Sequence, residues 1–490
     1  MGEISFGLPI NKTSFGMLGF PTGFCKEANA IIRKMDSVGT ATPEAEKVRI
    51  NNVIINLKAK GIWDELDALP VLSGHSRGAG LIDWKAPNDR TLTVYNAYSG
   101  DFVANSYFKG NGSNFRIDTG FNPGDGGAYK FNKYSNSFGY YAVDHVDETK
   151  VDVSALNAGS VGNECVSIVT SFSLNGKNAF GTARSVANFT NTGLFVCKRT
   201  GAKAWELQKN GYDMYSGGAK ETDTGTTVAN RTFKLFCRDV DGTYSQFSTK
   251  KIAYFFAGSG NFDVFELHNT MDRYYLNPKG ITPTKRIIFN GNSFTANGTY
   301  QKQVMSDLGS YNYDVLSRGI SGQTTVEMLK DAYASVFNKS KTFLSKDVIF
   351  VWELTNDMAA NSSNATTCYN NLVTYLQALK SYLPTAKIVV ATMLPRSAAS
   401  ITNANRQNDA NLTDDTTLNG KIRNHLVADG YCDAICDVAS DATMGIYSNG
   451  VAGVGEKNTT YYNVDEIHPN TTGYNYLATN YIKPSINTYL

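Results

Sequence analysis

The run Arg286-Ile287-Ile288-Phe289-Asn290-Gly291-Asn292-Ser293-Phe294-Thr295 reads as one buried strand that ends on a glycine and delivers a serine. Short apolar runs bounded by turn residues suit a strand covered on both faces, as in a parallel sheet. Gly291 permits a tight turn, and a helix is expected after it at Thr299–Leu308, so the hydroxyl and N–H of Ser293 would face a cleft. Taken alone, a serine on such a turn is most often structural.

Strand and helix keep alternating downstream. Strands are expected at Arg286–Asn290, Asp314–Ser317, Val348–Glu353, Lys387–Leu394 and Ala434–Val438. Helices are expected at Thr324–Phe337, Thr366–Leu383, Thr416–Asp429 and Thr472–Ile482, with Pro484 stopping the last. Such alternation predicts a parallel sheet with helices on both faces and chemistry at the carboxyl ends of its strands.

Those carboxyl ends carry the unusual residues. The second strand runs into Ser317-Arg318-Gly319-Ile320-Ser321-Gly322-Gln323, where Gly322 can bring a bare backbone N–H to a ligand. The third runs into Trp352-Glu353-Leu354-Thr355-Asn356-Asp357, which sets an amide at the same rim. Far downstream, Asp465-Glu466-Ile467-His468 places a carboxylate three residues before a histidine, within reach of its Nδ1–H. Each piece has a plain alternative, such as a helix cap for Asp357 or a surface turn for Asp465. Four of them in order at strand ends or in the last loop are hard to explain structurally.

This set resembles the SGNH (GDSL) hydrolase superfamily from Lys285 to Leu490. The resemblance implies a three-layer α/β domain at 284–490 with a flavodoxin-like parallel sheet. It implies Ser293 as nucleophile, Ser293, Gly322 and Asn356 as oxyanion-hole donors, and Asp465 with His468 as the acid–base pair. Three positions depart from the family pattern. Gly-Asp-Ser is Gly291-Asn292-Ser293, the Asn before the second-block Gly is replaced within Ser317–Gly319, and the Gly of Gly-x-Asn-Asp is Leu354, expected to narrow the backbone near the hole.

The residue types define the chemistry. A serine hydroxyl needs a base to take its proton, and histidine's reference pKa lies near neutrality. An aspartate on the far ring nitrogen fixes the tautomer and stabilises the imidazolium. Three N–H donors hold the oxyanion, each typically worth ~10²–10³ in rate. Ester hydrolysis through an acyl-enzyme follows, with neither metal nor cofactor expected. A second serine in Gly74-His75-Ser76-Arg77-Gly78 fits G-x-S-x-G but lacks the long following helix and preceding strands of a nucleophile elbow, and is expected in a loop.

Upstream the pattern differs. Residues 1–70 read as a helical lead-in or docking segment, with Thr42 as N-cap, Pro43 at the first helical position, Ile50, Val53, Ile54 and Leu57 on one face, and Gly61 at the end. Residues 71–279 read as short strands, among them Thr91–Tyr95, Val166–Phe172, Gly193–Lys198, Phe233–Arg238 and Lys250–Phe256, closed by a helix at Asp263–Tyr275. Asp241-Gly242 and Asn210-Gly211 carry hairpin-turn chemistry. A β-sandwich or jelly roll is expected. With its lead-in ending Gly61-Ile62-Trp63, the strand at Gly193-Leu194-Phe195, the Lys209-Asn210-Gly211 hairpin and Phe247-Ser248-Thr249-Lys250, this region resembles concanavalin A-like (laminin-G-like) modules of bacteriophage virion and tail-appendage proteins. Pro278–Pro283 reads as the linker.

Composition narrows the partners. The 490 residues suggest two to four domains at roughly 100–200 residues each. Charged residues are 18% and aromatics 12%, which excludes a disordered or coiled-coil chain. Net charge is +2 without a basic block, so nucleic acid is not expected as a partner. Apolar runs such as Ile252–Ala257 fall short of the roughly 20 residues that span a bilayer. Met1-Gly2-Glu3-Ile4-Ser5 has no basic or apolar signal region, so an extracellular setting would need another route, such as a phage virion or tail. Otherwise the expected location is cytoplasmic. Seven scattered cysteines argue against a disulfide framework, and Cys432 with Cys436 reads as buried thiols. His75, His145, His268 and His425 lack partners at ligand spacing, and Asp125-Gly126-Gly127 reads as a bare turn.

The expectation is a carbohydrate O-acylesterase, most simply an O-acetylesterase, whose β-sandwich binds an acylated polysaccharide or other glycan, or docks on other virion proteins. The alternatives are a lipid or short-chain acyl hydrolase and a receptor-binding or structural virion protein with a non-catalytic hydrolase-like domain. Arg396–Asp414 and Asp441–Asn463 are rich in Asn, Thr and Gly and offer no apolar lid, which disfavours the lipid alternative.

Overall fold

The computed structural model describes residues 23–144, 146, 148–156, 164–169, 173–178, 184–187, 192–201, 204–213, 228–281, 285–309, 313–334, 347–360, 364–396, 414–448 and 451–490. The expected elements that reach residues 1–22, 170–172, 282–284 and 335–337, and His145, lie partly or wholly outside them.

The apolar spacing near the start makes one helix, Glu44–Ala59, with Ile50, Val53, Ile54 and Leu57 all fully buried. Each contributes ~1.5–3 kcal/mol of transfer free energy. Pro43, rather than Thr42, sits at the N-cap and offers no side-chain bond, while the Thr42 N–H donates to Asp36 Oδ1 at 2.7 Å. This helix and Lys26–Val38 share a core with Tyr141, Leu194, Val196, Tyr254 and Phe256. The helices therefore cover the back of an antiparallel sheet.

That sheet has eight strands, with Gly193–Gly201, Asn136–Ala142 and Lys251–Gly258 side by side at its centre. Every residue of Asn136–Ala142 is buried because helices cover one face and a second sheet the other. This double cover removes the polar alternation that would have announced the strand. The second sheet has nine strands, and Ile117, Val153, Ala155 and Leu235 from it meet Phe138, Tyr140, Phe195 and Phe255 from the first. Both expected hairpins form, with Asn210 at φ 52, Gly211 at 78, Asp241 at 47 and Gly242 at 86, the left-handed pair that a type I′ turn needs. The strand expected over Phe233–Arg238 is broken into Lys234–Leu235 and Arg238–Val240, since Phe236 takes φ 70.

After the linker five parallel strands lie in the order Tyr313–Gly319, Lys285–Gly291, Asp347–Trp352, Lys387–Ala391, Ala434–Cys436. In chain order this is 2-1-3-4-5, the flavodoxin-like arrangement, with its switch point between the first and third strands. Alternate residues feed opposite cores. Ile288, Ile349, Val351, Ile388 and Val390 meet Leu372, Tyr375, Leu376 and Leu379 of the helix Ala365–Tyr382. Ile287, Phe289, Val348, Phe350 and Val389 meet Tyr300, Val304, Tyr474 and Leu477. Helices thus cover both faces. Phe265, from the helix Val264–Met271 upstream of the linker, is 3% exposed and joins the first of these cores. Pro484 does not stop the last helix. The chain passes through a π-turn at Ala478–Ile482, and Pro484 falls in the first turn of Lys483–Asn487, which continues it. Among the described residues no helix is long and apolar enough to cross a membrane.

Candidate active site

The first strand brings its carboxyl end hard against the third. A side chain at Gly291 would collide with the Trp352 carbonyl, so only glycine allows this approach. Asn292, fully buried, then caps the short helix Ser293–Asn297 by accepting the Phe294 N–H at 3.0 Å. Ser293 opens that helix half-buried, and its N–H, in the first turn, has no intrahelical partner.

The last loop delivers the base. Ser293 Oγ and His468 Nε2 are 2.7 Å apart, and His468 Nδ1 is 2.7 Å from Asp465 Oδ2. An ionised carboxylate only accepts, so Nδ1 carries the proton and Nε2 is left to accept from the serine hydroxyl. Asp465 Oδ1 accepts the backbone N–H groups of Ile467 at 2.9 Å and His468 at 3.0 Å. Partial burial pushes the Asp465 carboxyl up, but the backbone and ring donors of His468 and the Ile467 N–H outweigh it and hold it below the usual value. The imidazole also meets the edge of Phe294 at 5.3 Å, and Phe294 packs on Trp352 at 5.0 Å.

The two middle loops complete the rim. Ile320 N–H donates to the Gly291 carbonyl at 3.1 Å, and Gln323 N–H closes a turn onto Ile320 O at 3.2 Å with Gly322 at φ 81, the position where a type II turn wants glycine. Asn356 Nδ2 donates to Gln323 O at 3.0 Å, tying the third loop to the second. Gly322 stands exposed beside that tie and, among the described residues, makes no hydrogen bond to the other four predicted residues. Leu354 differs from the expectation of a narrowed hole. Its φ of 86 reproduces a glycine-like backbone, and its side chain, 1% exposed, turns into the core.

Sequence reasoning missed Glu353 and Arg396 here and read Asp357 only as a helix cap. Glu353 is 1% exposed, and burial, followed by the neighbouring Asp357, pushes its carboxyl well above the usual range. Asp357 accepts the Thr325 N–H and hydroxyl, both at 2.7 Å, rather than capping its own helix. Arg396, half-buried after the fourth strand, donates to Thr355 O at 3.4 Å; burial lowers its pKa against the pull of Asp465 and Glu353. Two acids four residues apart straight after an apolar strand were the available signal.

The other candidates serve local structure. Ser76 Oγ accepts the Ala79 N–H at 3.2 Å in a loop. Asp125 accepts the Gly127 N–H at 2.9 Å within its own turn. His75 Nε2 meets Thr40 O at 3.1 Å, His268 stacks on Tyr141 at 6.0 Å, and His425 Nε2 pairs with Asp415 at 3.0 Å on the surface. Cys432 and Cys436 are free, buried thiols, each pushed up to about 12 by burial.

Ser293, His468 and Asp465 thus stand in series at the switch point of a parallel sheet. Residues 289–476 match the GDSL-like Lipase/Acylhydrolase family, so the C-terminal part of the chain is a GDSL-type domain, an esterase or lipase by class. No curated protein matches the chain. Among solved structures it is similar to a lipolytic G-D-S-L family member from Veillonella parvula DSM 2008, at 16% identity over 40% of this chain and 94% of that one, with a TM-score of 0.25. It is also similar to an acetyl xylan esterase, at 19% identity over 39% of this chain and 96% of that one, with a TM-score of 0.28.

Proposed function

We propose that the protein is a serine esterase that removes O-acyl groups, O-acetyl foremost, from a surface carbohydrate. The observation that carries this reading is the pair of 2.7 Å contacts running from Ser293 Oγ through His468 to Asp465. Ser293 Oγ attacks the ester carbonyl while its proton passes to His468 Nε2, and Asp465 stabilises the imidazolium. The tetrahedral oxyanion is held by the N–H groups of Ser293 and Gly322 and by Asn356, whose amide spends one N–H on Gln323 and keeps the other for the substrate. Collapse expels the sugar hydroxyl with the proton from His468. Water, activated by the same imidazole, then attacks the acyl-enzyme and releases the acid.

Two features support a carbohydrate. The sequence at 396–414 and 441–463 is rich in Asn, Thr and Gly and carries no long apolar run, with Ile446 and Val451 as isolated exposed apolar residues. The two-sheet region, by its resemblance to concanavalin A-like modules of phage tail appendages, suits a glycan-holding or virion-docking part. The test is acetate release from an O-acetylated polysaccharide, measured by mass spectrometry beside Ser293→Ala. Release by the wild type alone is expected. Faster cleavage of a long-chain acyl ester than of the acetylated polymer would overturn the carbohydrate assignment.

A further inference from the structure

Glu353 lies immediately beyond the strand Asp347–Trp352, beneath the cleft floor. One of its oxygens, Oε1, accepts from two donors, Asn292 Nδ2 at 3.2 Å and the Asn356 N–H at 3.0 Å. Asn292 is the cap that sets the Ser293 turn, and Asn356 is the amide at the opposite rim. The second oxygen accepts the Leu354 N–H, and the carboxyl is hydrogen-bonded to Asp357, which in turn holds Thr325 at the start of the helix after the Gly322 turn. A single carboxyl therefore joins the ends of the first and third strands and, through Asp357, the second.

We propose that Glu353 is a positioning residue of the esterase site, fixing the separation between the Ser293 turn and the Asn356 loop so that the oxyanion donors converge on one point. It touches no substrate atom and acts through Asn292 and Asn356. The proposal rests on Ser293 as nucleophile and Asn356 as oxyanion donor. The geometry also sets its charge. Asn292, Asn356 and Leu354 donate to it, which favours the carboxylate, but its hydrogen bond to Asp357, a second carboxyl, needs a proton between the two, and burial followed by that neighbour holds the Glu353 carboxyl well above the usual range. Arg396 is a cation whose charge is coupled to Glu353, and its hydrogen bond goes to Thr355 O. A neutral Glu353 accepts through its carbonyl oxygen and donates its O–H to Asp357.

A neutral acid can be replaced by an amide. Glu353→Leu is expected to lower kcat on a small aryl acetate roughly ten- to hundredfold with KM within about threefold, because displacement of the donors by a fraction of an ångström matters only once charge develops. Glu353→Gln keeps a carbonyl that accepts from both asparagines and an NH₂ that donates to Asp357 but sets that NH₂ against the Leu354 N–H, so its kcat is expected between those of wild type and E353L. Asn292→Ala, which opens the same link without placing an apolar group in the pocket, gives a kcat loss like that of E353L and little further loss when combined with it. The infrared spectrum at neutral pH carries a protonated-carboxyl band that E353Q lacks, a readout independent of turnover. Wild-type kcat in E353L and N292A, or an E353Q as impaired as E353L, overturns the proposal, and a missing band overturns the neutral state. Ser293→Ala in the same assay separates the levels. If it is inactive while E353L is unimpaired, only the role of Glu353 fails; if it stays active, the esterase reading fails and the proposal with it.

Discussion

Asp465 grips His468 twice, by the ring Nδ1–H at 2.7 Å and by the backbone N–H at 3.0 Å. The second bond fixes the loop and the first fixes the tautomer. Asp465→Asn keeps the loop's shape but presents an amide to the ring, so Nε2 loses its role as acceptor. The expected result is a fall in kcat of roughly 10²–10⁴ with KM little changed, measured on a small aryl acetate. A change confined to KM would remove Asp465 from the relay.

The Asp465 carboxyl lies below its usual range, so it stays ionised through mildly acidic pH. The acid limb of kcat/KM should therefore carry no contribution from Asp465 down to about pH 5. For stability the sign is that of a depressed acid: its contribution is present above the unfolded pKa, about 3.9, and is lost as pH falls through the folded value. Urea midpoints of wild type and Asp465→Asn should differ by a constant amount from about pH 5 to 8 and converge below about pH 4. Divergence on acidification would contradict the hydrogen-bond pattern.

Asn356 donates one amide hydrogen to Gln323 and is expected to turn the other to the oxyanion. Asn356→Ala should lower kcat by roughly 10²–10³ with a small change in KM, because the donor matters mainly when negative charge forms. Steady-state kinetics on one ester decide it, and a loss carried by KM alone would place Asn356 in substrate binding.

Much of the hydrolase half was legible because buried parallel strands are short apolar runs, as in Ile287-Ile288-Phe289, and because chemistry gathers where they end. Ser293, Asn356, Asp465 and His468 showed themselves by residue type and order. Glu353 did not, since an acid after a strand looks like a solvated end until its partners, up to 61 residues away, are known. The strand Asn136–Ala142 was hidden by cover on both faces, and Phe265 by a contact that crosses the linker. Strand order in the two upstream sheets rests on pairings such as Asn136–Ala142 with Lys251–Gly258, more than a hundred residues apart, which no local pattern encodes.

Leu354 pits strain against burial. A non-glycine residue in the left-handed region costs about 1–2 kcal/mol, whereas truncating a buried leucine costs about 2–5. Burial wins, so Leu354→Gly should be destabilised by about 1–3 kcal/mol in urea unfolding while keeping kcat within a few-fold. A more stable variant would show that the strain dominates.

The identity of the nucleophile is tested most directly by covalent labelling. A serine-directed phosphonate ester, applied with EDTA present, should abolish hydrolysis of an aryl acetate and leave its mass on the peptide carrying Ser293, while EDTA alone leaves activity intact. An adduct on Ser76, or activity lost to EDTA and restored by zinc, would contradict a metal-free acyl-enzyme at Ser293.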